Sequence, residues 1–145
     1  MAIPTPAPGL VLHYGYLWHH EHRAGHDEGR KVRPAVIVLC VQRDSDDSTI
    51  ITVLPVTHVA PANSNSAIEI PHAIKKHLGL DDARSWIVVS EGNEFAWPGY
   101  DLRKIPKTGR YDFGFLPPRL FNQITEAFLA FYRAGQTKMT PRDDV

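Results

Sequence analysis

Residues 29–41, GRKVRPAVIVLCV, constrain this chain more than any other stretch. Seven of the last eight residues are apolar, and four of those are valine or isoleucine. So short, β-branched and unbroken a run predicts a strand covered on both faces. Its charged lead-in, Gly29-Arg30-Lys31-Val32-Arg33, stops at Pro34. Proline drives the residue before it into extended backbone. It is also tolerated as the first residue of a strand, where no ladder hydrogen bond is yet needed. Arg33 is therefore expected at the mouth of a stiff strand, either as a grip for an anion or as a solvated arginine.

The rest of the chain reads as company for that strand. Leu10, Leu12, Tyr14, Tyr16 and Trp18 alternate at period two and predict a half-buried strand over residues 10–18. Residues 19–31 form a polar loop with His19, His20, His22 and His26, and loops of that length are more often functional than accidental. Residues 49–54 are β-branched and predict an antiparallel partner for the central strand, ending in Pro55-Val56-Thr57-His58. Shorter strands are expected at 67–70, 86–90 and 111–115. A short helix fits residues 71–78, with Pro71 near its first turn and Gly79 as its C-cap. Leu120, Ile124, Ala127, Phe128 and Phe131 make one apolar stripe of a closing helix over residues 118–134, which Gly135 stops. The expected class is mostly β with minor α: a small, curled antiparallel sheet or barrel with a short internal helix and a C-terminal helix. Residues 1–9 read as an extended leader, 10–135 as a single domain and 136–145 as a flexible tail.

A chain of 145 residues is one domain by size. Sixteen basic and sixteen acidic side chains cancel, which argues against a non-specific nucleic-acid coat but leaves room for a local phosphate site. The single cysteine, Cys40, permits no internal disulfide and reads as a small buried hydrophobe. The first residues lack the basic and apolar regions of a signal peptide, and no apolar run is long enough for a bilayer. A cytoplasmic protein with no membrane partner is expected.

Arg33 and Thr57 are the leading chemical candidates. In a hairpin the start of one strand faces the end of the next, so a guanidinium and a hydroxyl meet and can hold one phosphate. His22 and His26 are candidates for proton transfer, or for zinc, or for a solvated loop. Glu91, at the end of a buried strand, is a candidate base, an orienter of an arginine, or a turn residue. Arg30, Lys31 and His58 are candidate substrate contacts, and His58, next to Thr57, carries the same three readings as the loop histidines. Trp97 either stacks a base or plugs the core.

Taken together, Pro8-Gly9-Leu10-Val11, the loop from Gly25 to Gly29, Arg33-Pro34-Ala35-Val36-Ile37-Val38-Leu39 and Leu54-Pro55-Val56-Thr57 resemble the MazF/PemK toxins of bacterial toxin–antitoxin systems. The likeness covers about residues 8–134, although the loop before Arg33 is longer and richer in histidine than the family's. It implies an SH3-like barrel, a homodimer, a small antitoxin partner, and cleavage of single-stranded RNA (mRNA) without metal or other cofactor. On this likeness Arg33 and Thr57 are the catalytic pair, with His22, His26 or Glu91 supplying proton transfer. Two other readings stand beside it. One is a non-catalytic barrel acting on a protein target such as gyrase, and the other is a zinc protein using the loop histidines.

Overall fold

The computed structural model describes residues 3–23 and 31–142. Its elements run β1 (Leu10–Tyr16), α1 (His19–Arg23), β2 (Lys31–Gln42), β3 (Thr49–Thr57), β4 (Ala67–Glu69), α2 (His72–Leu78), β5 (Trp86–Val88), β6 (Glu91–Ala96), β7 (Asp112–Phe115), α3 (Pro118–Arg133) and β8 (Lys138–Pro141). The fold is mostly β with minor α. One curled, barrel-like sheet has the strand order β4-β5-β3-β2-β1-β7, and β6 joins β3 while β8 joins β6. All pairs are antiparallel except β6 with β8.

The central strand is covered on both faces, as its composition demands. Ala35 and Ile37 point into one core with Leu12, Tyr14, Tyr16, Ile51, Val53 and Phe95. Val36 and Val38 point the other way, into a second core with Leu54, Val56 and the helix side chains Leu120, Ile124 and Phe128. The helix stripe is thus core: Ile124 and Phe128 are fully buried, four residues apart on one face. Burying each such side chain contributes about 1.5–3 kcal/mol. Gly79 caps α2 in the left-handed region at φ 74°, where a Cβ would be strained.

Several expectations shift, and the first is that residues 19–23 of the expected polar loop form the short helix α1. β1 is covered on both faces rather than half-buried, with His13 its one partly exposed residue, because the two cores take up alternate side chains. β2 starts at Lys31, three residues before Pro34. Pro34 is still placed where its missing N–H does no harm, since β3 pairs with β2 only from Ala35 onward. β3 continues through Pro55 to Thr57. Its outer edge passes from β6, which pairs as far as Val53, to β5, which begins at Val56, and Pro55 falls at that hand-over. Finally, Lys138–Pro141 is a strand rather than a loose tail, laid parallel to β6. Arg142 behind it is buried and paired with Asp101, its Nη2 at 2.8 Å from Oδ1.

Residues 91–99 mix turn signals such as Gly92-Asn93 with large aromatics in the sequence, and the first six of them form strand β6. A Cβ at Gly92 would sit 2.8 Å from the Val53 carbonyl oxygen, closer than backbone can yield to. Gly92→Ala should therefore cost about 1–3 kcal/mol, as overpacking does. A lowered midpoint in urea denaturation checks it. An unchanged midpoint means β6 and β3 are not packed this tightly.

Candidate functional site

β2 hydrogen-bonds to β1 from residue 31, but gains β3 on its other edge only at Ala35. Residues 31–34 are therefore flanked by one strand, and two pockets adjoin them. The larger, about 540 Å³, is lined by Trp18, His20, Lys31, Arg33, Thr57 and His58, with the 59–62 loop as its apolar wall. The smaller, about 320 Å³, shares Lys31, Arg33 and His58 and adds His13, Lys75, Asp81 and Ser85.

The strand register explains why Arg33 and Thr57 share a pocket. Ala35 pairs with Pro55, and the same register continued by two residues sets Arg33 across from Thr57. Both continue the alternation that carries Ala35 and Val53 to the Tyr14–Phe95 core, so both lie on that face of the sheet. Arg33 Nη1 donates to the Val56 carbonyl at 3.3 Å, and the guanidinium carbon lies 5.0 Å from the Trp18 ring centre. Arg33 Nε is buried and has no hydrogen-bond partner among the described residues. Burial lowers the Arg33 pKa, while Glu21 and Tyr16 pull it back up. An arginine still keeps its charge, so the site holds a cation with an unanswered donor. The Thr57 hydroxyl oxygen accepts the Val59 N–H at 3.2 Å, which leaves its own O–H free to donate.

His58 stands at the junction of the two pockets. Its Nε2 is 2.8 Å from Asp81 Oδ2. The other carboxylate oxygen accepts from Lys75 Nζ at 2.5 Å. Lys75 is 2% exposed and also donates to Ser85 Oγ at 2.6 Å and to the Ala83 carbonyl. Burial alone would raise the Asp81 pKa, but Lys75 and His58 hold it below the ordinary value.

Glu91 lines neither pocket. Its Oε2 accepts from the Tyr16 hydroxyl at 2.9 Å and from the His19 backbone N–H at 3.1 Å. Glu21 accepts the Trp18 N–H at 3.1 Å in the same turn. These two carboxylates fix the start of α1, and with it the Trp18–His20 pair, whose rings lie 6.4 Å apart at 21°. Burial pushes the Tyr16 hydroxyl well above its usual pKa, and the adjacent Glu91 adds to that.

Trp97 packs on Phe95 at 6.2 Å, beside the core. Its backbone N–H donates to the Thr49 carbonyl, at the opposite end of β3 from Thr57. Eight residue steps separate those ends, about 26 Å. Trp97 is thus remote from Arg33, and the aromatic wall of the pocket is Trp18 with His20, a pair that sequence reading passed over. His26 and Arg30 lie outside the described residues, as does the side chain of His22. Among the described residues no cluster of three or more His, Cys, Asp or Glu is placed to hold a metal. No described helix is long and apolar enough to cross a membrane.

No family model and no curated protein matches this sequence.

Proposed function

We propose that this chain is a toxin-like endoribonuclease of the MazF/PemK kind, cleaving single-stranded RNA by attack of the RNA's own 2′-OH. The observation that carries the reading is the pocket in which Arg33, with its unanswered buried Nε, meets Thr57. A phosphodiester seated there receives a cationic fork and a hydroxyl. Arg33 offsets the negative charge that grows on the phosphorane oxygens, usually the largest single contribution to such a step. Thr57 donates its O–H to a phosphate oxygen and holds the in-line geometry. Lys31, exposed at the rim, attracts the backbone. Because the nucleophile belongs to the ribose, DNA is not a substrate and no metal-bound water is needed. The same reading makes the protein a cytoplasmic homodimer with an SH3-like barrel, silenced by a small antitoxin.

The test is direct. Purified protein is incubated with a long single-stranded RNA in excess chelator, and fragments with 2′,3′-cyclic phosphate ends are expected. Intact RNA under all conditions, with a protein target recovered instead, would favour a binding module on the same scaffold.

The pocket also predicts which aromatic matters. Stacking of a base contributes about 1–3 kcal/mol, so Trp18→Ala should raise KM for RNA by roughly 10- to 100-fold. Trp97→Ala should leave KM unchanged, because its ring faces Phe95. The reverse pattern would move the base site to the far end of β3.

A further inference from the structure

We infer that His58 is the general base of this site and that Asp81, anchored by the buried Lys75, is the residue that positions it. The inference rests on the ribonuclease reading and adds to it the group that removes the proton.

The chain of contacts fixes the roles. Lys75 is sunk at 2% exposure and bonded to Asp81, Ser85 and the Ala83 carbonyl, so it cannot swing away. It clamps one oxygen of Asp81 and favours the ionised carboxylate, whose pKa is depressed. An ionised carboxylate only accepts hydrogen bonds. His58 Nε2, 2.8 Å away, must therefore be the donor. In the neutral ring that leaves the lone pair on Nδ1, a fixed tautomer with one nitrogen available for proton exchange. His58 follows Thr57 directly in the chain and lines the same pocket as Arg33 and Thr57. The order of partners, from buried cation to carboxylate to imidazole, is that of a group held by its neighbours for proton transfer.

His58 Nδ1 takes the proton of the 2′-OH as the 2′ oxygen bonds to phosphorus. The bond from phosphorus to the 5′ oxygen breaks, and that oxygen takes a proton from solvent water. The products are a 2′,3′-cyclic phosphate and a 5′-OH, and His58 then returns its proton to solvent. Nothing is oxidised or reduced.

Charged and titratable groups reach the two pockets around His58 from every element packed there: Asp81 and Lys75 from the α2 side, Lys31 and Arg33 from β2, His13 from β1 and His20 from α1. A pH profile alone could report any of them, so the test combines three readouts. His58→Ala should lower kcat by roughly 10²–10⁴-fold, the range of general acid–base catalysis, with KM nearly unchanged. Added imidazole should restore part of that kcat. The acidic limb of the kcat/KM profile should disappear in His58→Ala. Asp81→Asn should lower kcat roughly tenfold or more, and nitrogen-15 spectra should show loss of the single Nε2–H tautomer of His58. His58 is about half exposed, at 47%, so His58→Ala should fold. Asp81→Asn leaves the buried Lys75 facing an amide oxygen in place of a carboxylate, so its kcat is read alongside its denaturation midpoint. Asp81→Glu supplies a check that keeps the charge, and should retain more kcat than Asp81→Asn.

If the wild type cleaves no RNA, the ribonuclease reading and this inference fall together. If the wild type cleaves while His58→Ala keeps its kcat and pH profile, only the base is misassigned. A kcat loss in His58→Ala that imidazole does not restore, with the acidic limb intact, also overturns the assignment, since it marks a structural role.

Discussion

Arg33→Ala should lose RNA cleavage by at least 10²–10³-fold while folding as well as the wild type, or slightly better. The size follows from the position. Removing one preorganised donor aimed at developing charge costs on that order in kcat. Here the side chain also carries the cation. The stability half of the expectation is less usual and comes from the same geometry. The guanidinium is half-buried, its Nε has no partner among the described residues, and burial already lowers its pKa. Deleting such a group relieves a desolvation cost and forfeits one 3.3 Å hydrogen bond to Val56 and one contact with Trp18. Residues kept for function commonly weaken the fold in this way. Arg33→Lys should recover little, because a point charge cannot present the planar fork. Cleavage assays paired with thermal denaturation separate the outcomes. Undiminished cleavage in Arg33→Ala removes the proposed mechanism, and a collapse of the midpoint makes Arg33 a structural residue instead.

Much of the scaffold was legible because its signals are local. The apolar run after Pro34, the 3.6-residue stripe of α3 and the glycine after α2 each carry their instruction within a few neighbours. The Arg33–Thr57 meeting was legible for a related reason: β2 and β3 are consecutive, and hairpin geometry joins the start of one to the end of the other. What escaped depends on separation or on burial of polar groups. Asn93 reads as a turn residue, yet it is fully buried because its amide exchanges two hydrogen bonds with the Leu17 backbone, 76 residues away. Gly92 reads as a breaker, yet it is required by the close Val53 carbonyl. Asp81 looks like one more loop carboxylate until the fold brings it to His58, 23 positions earlier. Lys138-Met139-Thr140-Pro141 has too few apolar residues to announce a strand, and only the edge of β6 makes it one. Trp18 continues the period-two alternation of β1 in the sequence, whereas the strand ends at Tyr16 and a capped turn brings the ring to Arg33.

That last strand is where the second large effect is expected. Asp101→Ala should destabilise the protein by about 3–5 kcal/mol, the cost of removing one partner of a buried ion pair. Asp101 and Arg142 are each 5% exposed and joined by two hydrogen bonds, at 2.8 and 3.2 Å. Burial alone would lower the Arg142 pKa, but Asp101, with Tyr14 beside it, more than offsets that. The pair ties three pieces together. The Asp101 carbonyl accepts the Gly15 N–H of β1 at 2.8 Å, and the Arg142 N–H donates to the Glu94 carbonyl of β6 at 2.6 Å. Against a typical domain stability of 5–15 kcal/mol, the loss should move the urea midpoint far enough to see in a single titration. A chain ending at residue 137 should lose a similar amount or more, since it also strips β8 from β6. Truncation and Asp101→Ala should not add, because the truncated chain has no Arg142 left to strand. Replacing both partners by leucine should recover part of the loss, as apolar substitutes for buried pairs often do. A midpoint that stays put in Asp101→Ala, or strict additivity with the truncation, means the C-terminal strand is held by its backbone ladder alone.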